Sequence, residues 1–159
     1  MSAMKNILTK QLANWIVIEM KLRTYHWHVR GPQFFTLHAK FEELYGEAAG
    51  HIDELAERLL ALGDNAVLSL AETLRNASVQ ESGGKESSEQ MVAAIANDFS
   101  LLIEELRVGQ SYAESLGDIT SADLLQDIAA GLEKHVWMLN AYLGVPAQSA
   151  IRLASSAGE

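Results

Sequence analysis

A chain of 159 residues with 48% hydrophobic content can bury a sizeable core, so a single domain over residues 1–159 with short tails at both ends is expected. Its 21 acidic and 12 basic residues give a formal charge of -9, which repels nucleic acid and anionic membranes and attracts cations. The absence of cysteine excludes a disulfide framework and a thiolate metal site, so any metal must be held by His, Asp, Glu or water, which leaves iron, zinc, manganese and similar ions.

With only two prolines and few β-branched runs, while Ala, Leu, Glu and Gln recur, the class read from the sequence is all-α. Lys5, Lys10, Glu19, Lys21 and Arg23 interrupt every apolar run near the start, and no stretch approaches transmembrane length. A cytoplasmic protein without a membrane partner is expected.

The first predicted helix runs from Lys5 to Val29, with Leu8, Leu12, Trp15, Ile16, Glu19 and Arg23 at helical spacing, and Gly31-Pro32 ends it. Around that break, TYHWHVRGPQFFTLHAKFE holds three of the five histidines, His26, His28 and His38. The second helix runs from Phe35 to Leu62 and stops at Gly63. A short helix is expected over Val67–Leu74, then a flexible loop, ESGGKESSEQ. Ser87 and Gln90 form a capping-box signal for the third long helix, which reaches Leu116. Thr120 and Asp123 fit a second box for the fourth, which ends at Leu143 before Gly144 and Pro146. Four long helices with two short hairpins and one long crossover describe a four-helix bundle of ferritin-like connectivity, the short helix lying in the crossover between helices 2 and 3.

The second long helix resolves into three faces at about 100° per residue. Leu37, Phe41, Leu44, Ala48, Ile52, Leu55, Leu59 and Leu62 form the core stripe, and Lys40, Glu43, Glu47, Glu54 and Arg58 a solvated face. The third face carries His38, Glu42, Asp53 and Glu57, with Gly46, Ala49 and Gly50 between the two pairs. Each glycine costs about 1 kcal/mol relative to Ala in a helix interior, so two of them one turn apart suggest that another backbone approaches. The 15-residue offset separates the pairs by about 22 Å, too far for one metal ion. If an identical helix crosses antiparallel near Gly46 and Glu47, His38 and Glu42 of one copy meet Asp53 and Glu57 of the other, twice over. The Gly-Pro turn brings His26 level with His38, and the histidines then read as metal ligands.

The stretch YHWHVRGPQFFTLHAKFEELYGEAAGHIDELAERLLALG, together with KHVWMLNAYLG, resembles the Dps family of mini-ferritins over nearly the whole chain. The resemblance implies a hollow dodecamer of four-helix bundles and an inter-subunit ferroxidase centre. The positions matching the family's motif are His26, His38 and Glu42, with Asp53 and Glu57 supplied by the partner subunit; Glu42 stands where many members have Asp and ligates either directly or through water. It implies further that Fe(II) is oxidised, with hydrogen peroxide preferred over oxygen, and stored as ferric mineral. Zinc or other divalent ions suit the same ligands. Trp27 is a candidate radical relay, with packing in an interface as its alternative role. The family also places aspartates at the start of the fourth helix to line a pore that draws iron inward, here Asp118, Asp123 and Asp127. Acids there equally favour the helix dipole.

His28 is read as surface, His51 and His135 as without a role, and Trp15 and Trp137 as packing groups. An ordinary ferritin or bacterioferritin is disfavoured because no Glu-x-x-His occurs. A non-catalytic helical assembly is disfavoured by the ligand register. A DNA-compacting role is the remaining alternative. Direct DNA binding is not expected, since little beyond Lys5 precedes the first helix and residues 144–159 hold one Arg and one Glu.

Overall fold

The computed structural model describes residues 2–67 and 69–146, and within them every regular element is an α-helix. In chain order these are α1 (Ala3–His28), α2 (Phe34–Ala61), α3 (Leu70–Asn76), α4 (Ser88–Ser115) and α5 (Ile119–Leu143). They divide into two compact units, one reaching Met91 and the other starting at Val92. The expected short helix touches Leu68, and the C-terminal tail includes 147–159; both positions lie outside the described residues.

In the first unit, α1 and α2 form an antiparallel hairpin. Ring contacts of Trp15 with His51, Tyr25 with Phe41, and His26 with His38 advance along one helix as they recede along the other. Ser2 caps α1 by accepting from the Lys5 amide. At its other end the Val29 amide bonds the Tyr25 carbonyl, and Gly31 turns the chain with φ +103°, a conformation that favours glycine. Buried Leu37, Phe41, Leu44, Ala48, Leu55 and Leu59 match the core stripe read from α2. Full burial stabilises each large apolar side chain by roughly 1.5–3 kcal/mol relative to exposure. Leu62 departs from the stripe and is exposed, because it is the C-cap rather than a helical residue. Gly63, at φ +81°, follows it, and the Asp64 amide bonds the Leu59 carbonyl in a Schellman closure.

Two expectations for the connection are corrected. The short helix starts at Leu70 rather than Val67, because the Ser69 hydroxyl accepts from the Glu72 amide and marks the cap. The 81–87 segment, expected to be flexible, is organised around Glu86. Its carboxylate accepts from the Gly83 amide (2.8 Å), the Ser82 hydroxyl (3.1 Å) and the Tyr25 hydroxyl of α1 (3.0 Å). Burial pushes its pKa up, but the bonds from its own amide, Gly83, Tyr25 and Ser82 outweigh that and lower it from 4.5 to about 2. A depressed carboxylate stabilises the fold above its unfolded value, and that contribution is lost as pH falls from about 4.5 through about 2. Glu86→Gln should therefore reduce stability at neutral pH by about 1 kcal/mol, modest because the group is only half-buried. Urea unfolding at pH 7 and at progressively lower pH should show the difference from the parent shrinking as the pH approaches 2.

The capping box at the start of α4 is present in full: the Ser87 amide donates to Gln90 Oε1 (2.9 Å), and the Gln90 amide to Ser87 Oγ (3.2 Å). In the second unit α5 runs antiparallel to α4, with Arg107 bonded to Glu133 (2.6 Å) and Gln110 to Gln126 (3.1 Å). The expected Thr120/Asp123 box is replaced. Asp118 caps α5 through the Ser121 amide (3.1 Å), so the helix opens at Ile119.

Candidate metal centre

The α1–α2 turn places His26, in the last turn of α1, beside His38, one turn into α2. Their rings are stacked with centroids 3.7 Å apart and 16° between planes. Each imidazole bonds the other residue's backbone: His26 Nδ1 to the His38 carbonyl at 2.7 Å and His38 Nδ1 to the His26 carbonyl at 2.8 Å. A carbonyl oxygen only accepts, so both Nδ1 atoms carry hydrogen. In the neutral rings the lone pair is then on Nε2. Metal-ligating histidines are commonly oriented this way, by donating the other ring N–H to a carbonyl.

Three side chains that sequence reasoning missed support the pair. Phe34 stacks on His38, with centroids 4.9 Å apart. Tyr45 meets His26 edge-on at 5.4 Å and 90°. The Arg23 guanidinium lies over the Tyr45 ring, 4.2 Å from its centroid, and pairs with Glu19 at 3.1 Å. Phe34 and Tyr45 lie four residues before and seven after His38, so both share its side of α2. That periodicity was the available signal, although aromatics at such positions usually read as core.

His26 is buried and His38 half-buried, whereas Glu42, Asp53 and Glu57 are all exposed on α2. The first two are brought together; the two acidic residues Asp53 and Glu57 lie further along the same helix, about 22 Å from the His38–Glu42 turn by helical rise. Among the described residues no three His, Cys, Asp or Glu side chains form a metal-holding group within the chain. Gly46 and Gly50 are exposed, and a Cβ built on either would meet nothing within 4 Å.

The other candidates are dispersed. Trp27 is 58% exposed and His28 is exposed. Asp118 is the α5 cap, with Asp123 and Asp127 exposed one turn apart on that helix. His51 packs on buried Trp15, and His135 lies near Phe99. Trp137, expected to be a packing group, is 53% exposed, because it falls outside the buried Leu132–Val136–Leu139 stripe of α5.

A ferritin-like domain model matches residues 5–148. The DNA protection during starvation protein of Brevibacillus brevis is 53% identical over 137 residues, covering 86% of this chain and 92% of that protein. The chain belongs to the Dps family of ferritin-like proteins. Its all-helical, ferritin-like fold is shared with solved Dps structures. The crystal structure of Dps from Bacillus brevis superposes with a TM-score of 0.87 at 51% identity, covering 88% of this chain and 94% of that one. Dps from Listeria innocua, in crystals soaked with zinc, superposes at 0.88 and 37% identity, covering 91% and 99%.

Proposed function

We propose that this Dps protein is an iron-storing and detoxifying mini-ferritin, one ferritin-like domain over residues 1–159, working in the cytoplasm as a hollow homododecamer. Fe(II) is the substrate, bound where His26, His38 and Glu42 of one subunit face Asp53 and Glu57 of a two-fold-related copy. It is oxidised there, with hydrogen peroxide preferred over oxygen, and the ferric product is stored as mineral inside the shell. Asp123 and Asp127, with Asp118 beside them, line the inward route for iron.

The observation that carries this reading is the reciprocal His26–His38 bonding, which presents two Nε2 lone pairs next to an acidic helix face. Exposed Gly46 and Gly50, open to a Cβ from the chain's own side, supply the close approach that a second copy needs. Imidazole and carboxylate together suit Fe(II), and zinc competes for the same donors. The chain's residues orient the ion and keep both imidazoles in the binding tautomer. The partner's carboxylates complete the charge balance. Adding Fe(II) anaerobically to purified protein, then peroxide or air, tests the reading. Ferric absorbance should rise, on a particle with the mass of twelve chains, faster with peroxide than with air.

DNA protection on this reading is chemical. Non-specific DNA binding depends on phosphate neutralisation by Lys and Arg, and a twelve-fold assembly of a chain of charge -9 multiplies the repulsion. At roughly 0.1 M salt a gel-shift should show no retardation, while strand breakage by iron and peroxide falls. Tight metal-free retardation would instead support the DNA-compacting role.

A further inference from the structure

A metal site shared between chains can hold a single Fe(II) when iron is scarce, yet peroxide is a two-electron oxidant. One ferrous ion supplies one electron, and the missing electron is the step at which hydroxyl radical escapes. Two aromatic rings meet the histidine pair: Phe34, stacked on His38 at 4.9 Å, has no phenolic proton to lose with an electron, and Tyr45, edge-on to His26 at 5.4 Å, has one. Trp27 follows His26 directly but projects about 100° away around α1 and is largely exposed. Tyr25 precedes His26, but its ring packs on Phe41 and its hydroxyl is committed to the strongly acidic Glu86, a poor proton acceptor.

We propose that Tyr45 is the one-electron donor to an iron site that holds only one Fe(II) when peroxide arrives. This rests on the reading that His26 ligates iron. In the step, Fe(II) and the Tyr45 phenol each lose one electron, the O–O bond of hydrogen peroxide breaks, and with two protons taken up two waters form. Fe(III) and a neutral tyrosyl radical remain. The Arg23 guanidinium 4.2 Å above the ring opposes positive charge building there, so the electron leaves with the phenolic proton, which passes to water at the half-buried ring. Glu19, paired with Arg23 at 3.1 Å, holds the cation in place. A second Fe(II), with one proton, then restores the phenol and becomes Fe(III).

The test is to load the assembled protein anaerobically with one Fe(II) per site, mix it with peroxide, freeze within milliseconds and record the electron paramagnetic resonance spectrum. Hydroxyl radical is spin-trapped in parallel. A tyrosyl signal should form, persist in Tyr25→Phe and Tyr142→Phe, and vanish in Tyr45→Phe, where trapped hydroxyl radical rises severalfold. A signal that survives in Tyr45→Phe, a tryptophanyl signal in the parent, or equal hydroxyl yields would overturn the assignment. If Tyr45→Phe fails to assemble, fluorotyrosine at position 45 replaces it: a fluorine splitting supports the donor role and an unsplit signal refutes it. Iron oxidised at two Fe(II) per site, with no Tyr45 radical at one Fe(II) per site, removes this inference alone. No oxidation at any loading removes the ferroxidase reading with it.

Discussion

The His26→Ala/His38→Ala protein should assemble yet oxidise Fe(II) at least about 100-fold more slowly than the parent. Loss of a partner that merely supports a metal ligand costs roughly 10- to 100-fold, and here two ligands go at once. The His26 and His38 rings also bond each other's backbone, so their removal releases the carbonyl of each residue at the α1–α2 turn. Some loss of stability in that turn is expected beside the loss of activity. The Asp53→Ala/Glu57→Ala protein separates the two effects. Both carboxylates are exposed on α2, so their loss should leave the subunit's stability almost unchanged while iron oxidation falls as far. It should also lose the protection of DNA against iron and peroxide. Initial rates of ferric absorbance, read beside particle mass, check both variants.

The second large effect concerns assembly. Within a single chain, replacing Gly46 and Gly50 with Leu should favour the helix by about 1 kcal/mol per position, since leucine has the higher helix propensity and the space is open. Against a second copy crossing there, the same side chains overpack, at about 1–3 kcal/mol each, and two-fold symmetry repeats every clash. Gly46→Leu/Gly50→Leu should thus give a well-folded helical subunit that forms smaller particles and has lost most iron oxidation. Circular dichroism, particle mass and ferric absorbance together report this. Wild-type mass with a wild-type rate would place the crossing elsewhere.

What could be read in the sequence was what depends on neighbours along the chain. The core stripe of α2, the Ser87/Gln90 box and the levelling of His26 with His38 across Gly31-Pro32 are all settled within a few turns of helix. The cap of α5 was misplaced because Asp118 and Thr120 both fit the chemistry and stand two residues apart; the Ser121 amide decides between them in space. Glu86 was invisible because its distant partner, Tyr25, is 61 residues earlier. Nothing in ESGGKESSEQ signals a carboxylate held by a buried phenol. Tyr45 escaped for a similar reason. Its importance lies in touching His26, a residue of another helix, with Arg23 of that helix over its face. The proposed pairing of Asp53 and Glu57 with histidines is different in kind, since it requires a second chain and is argued from helical periodicity, two-fold symmetry and the family resemblance.

Co-refolding the two ligand variants is the measurement that bears on this most directly. Mix equal amounts of the His26→Ala/His38→Ala and Asp53→Ala/Glu57→Ala chains, verify mixed particles by mass, and measure iron oxidation per chain. In a mixed pair one composite site combines intact histidines from one chain with intact carboxylates from the other, and the second site lacks both. Random mixing therefore restores about a quarter of the sites, and about a quarter of the parent activity, from two inactive proteins. No recovery in proven mixed particles would mean that each chain supplies its own ligands, and would contradict the shared site.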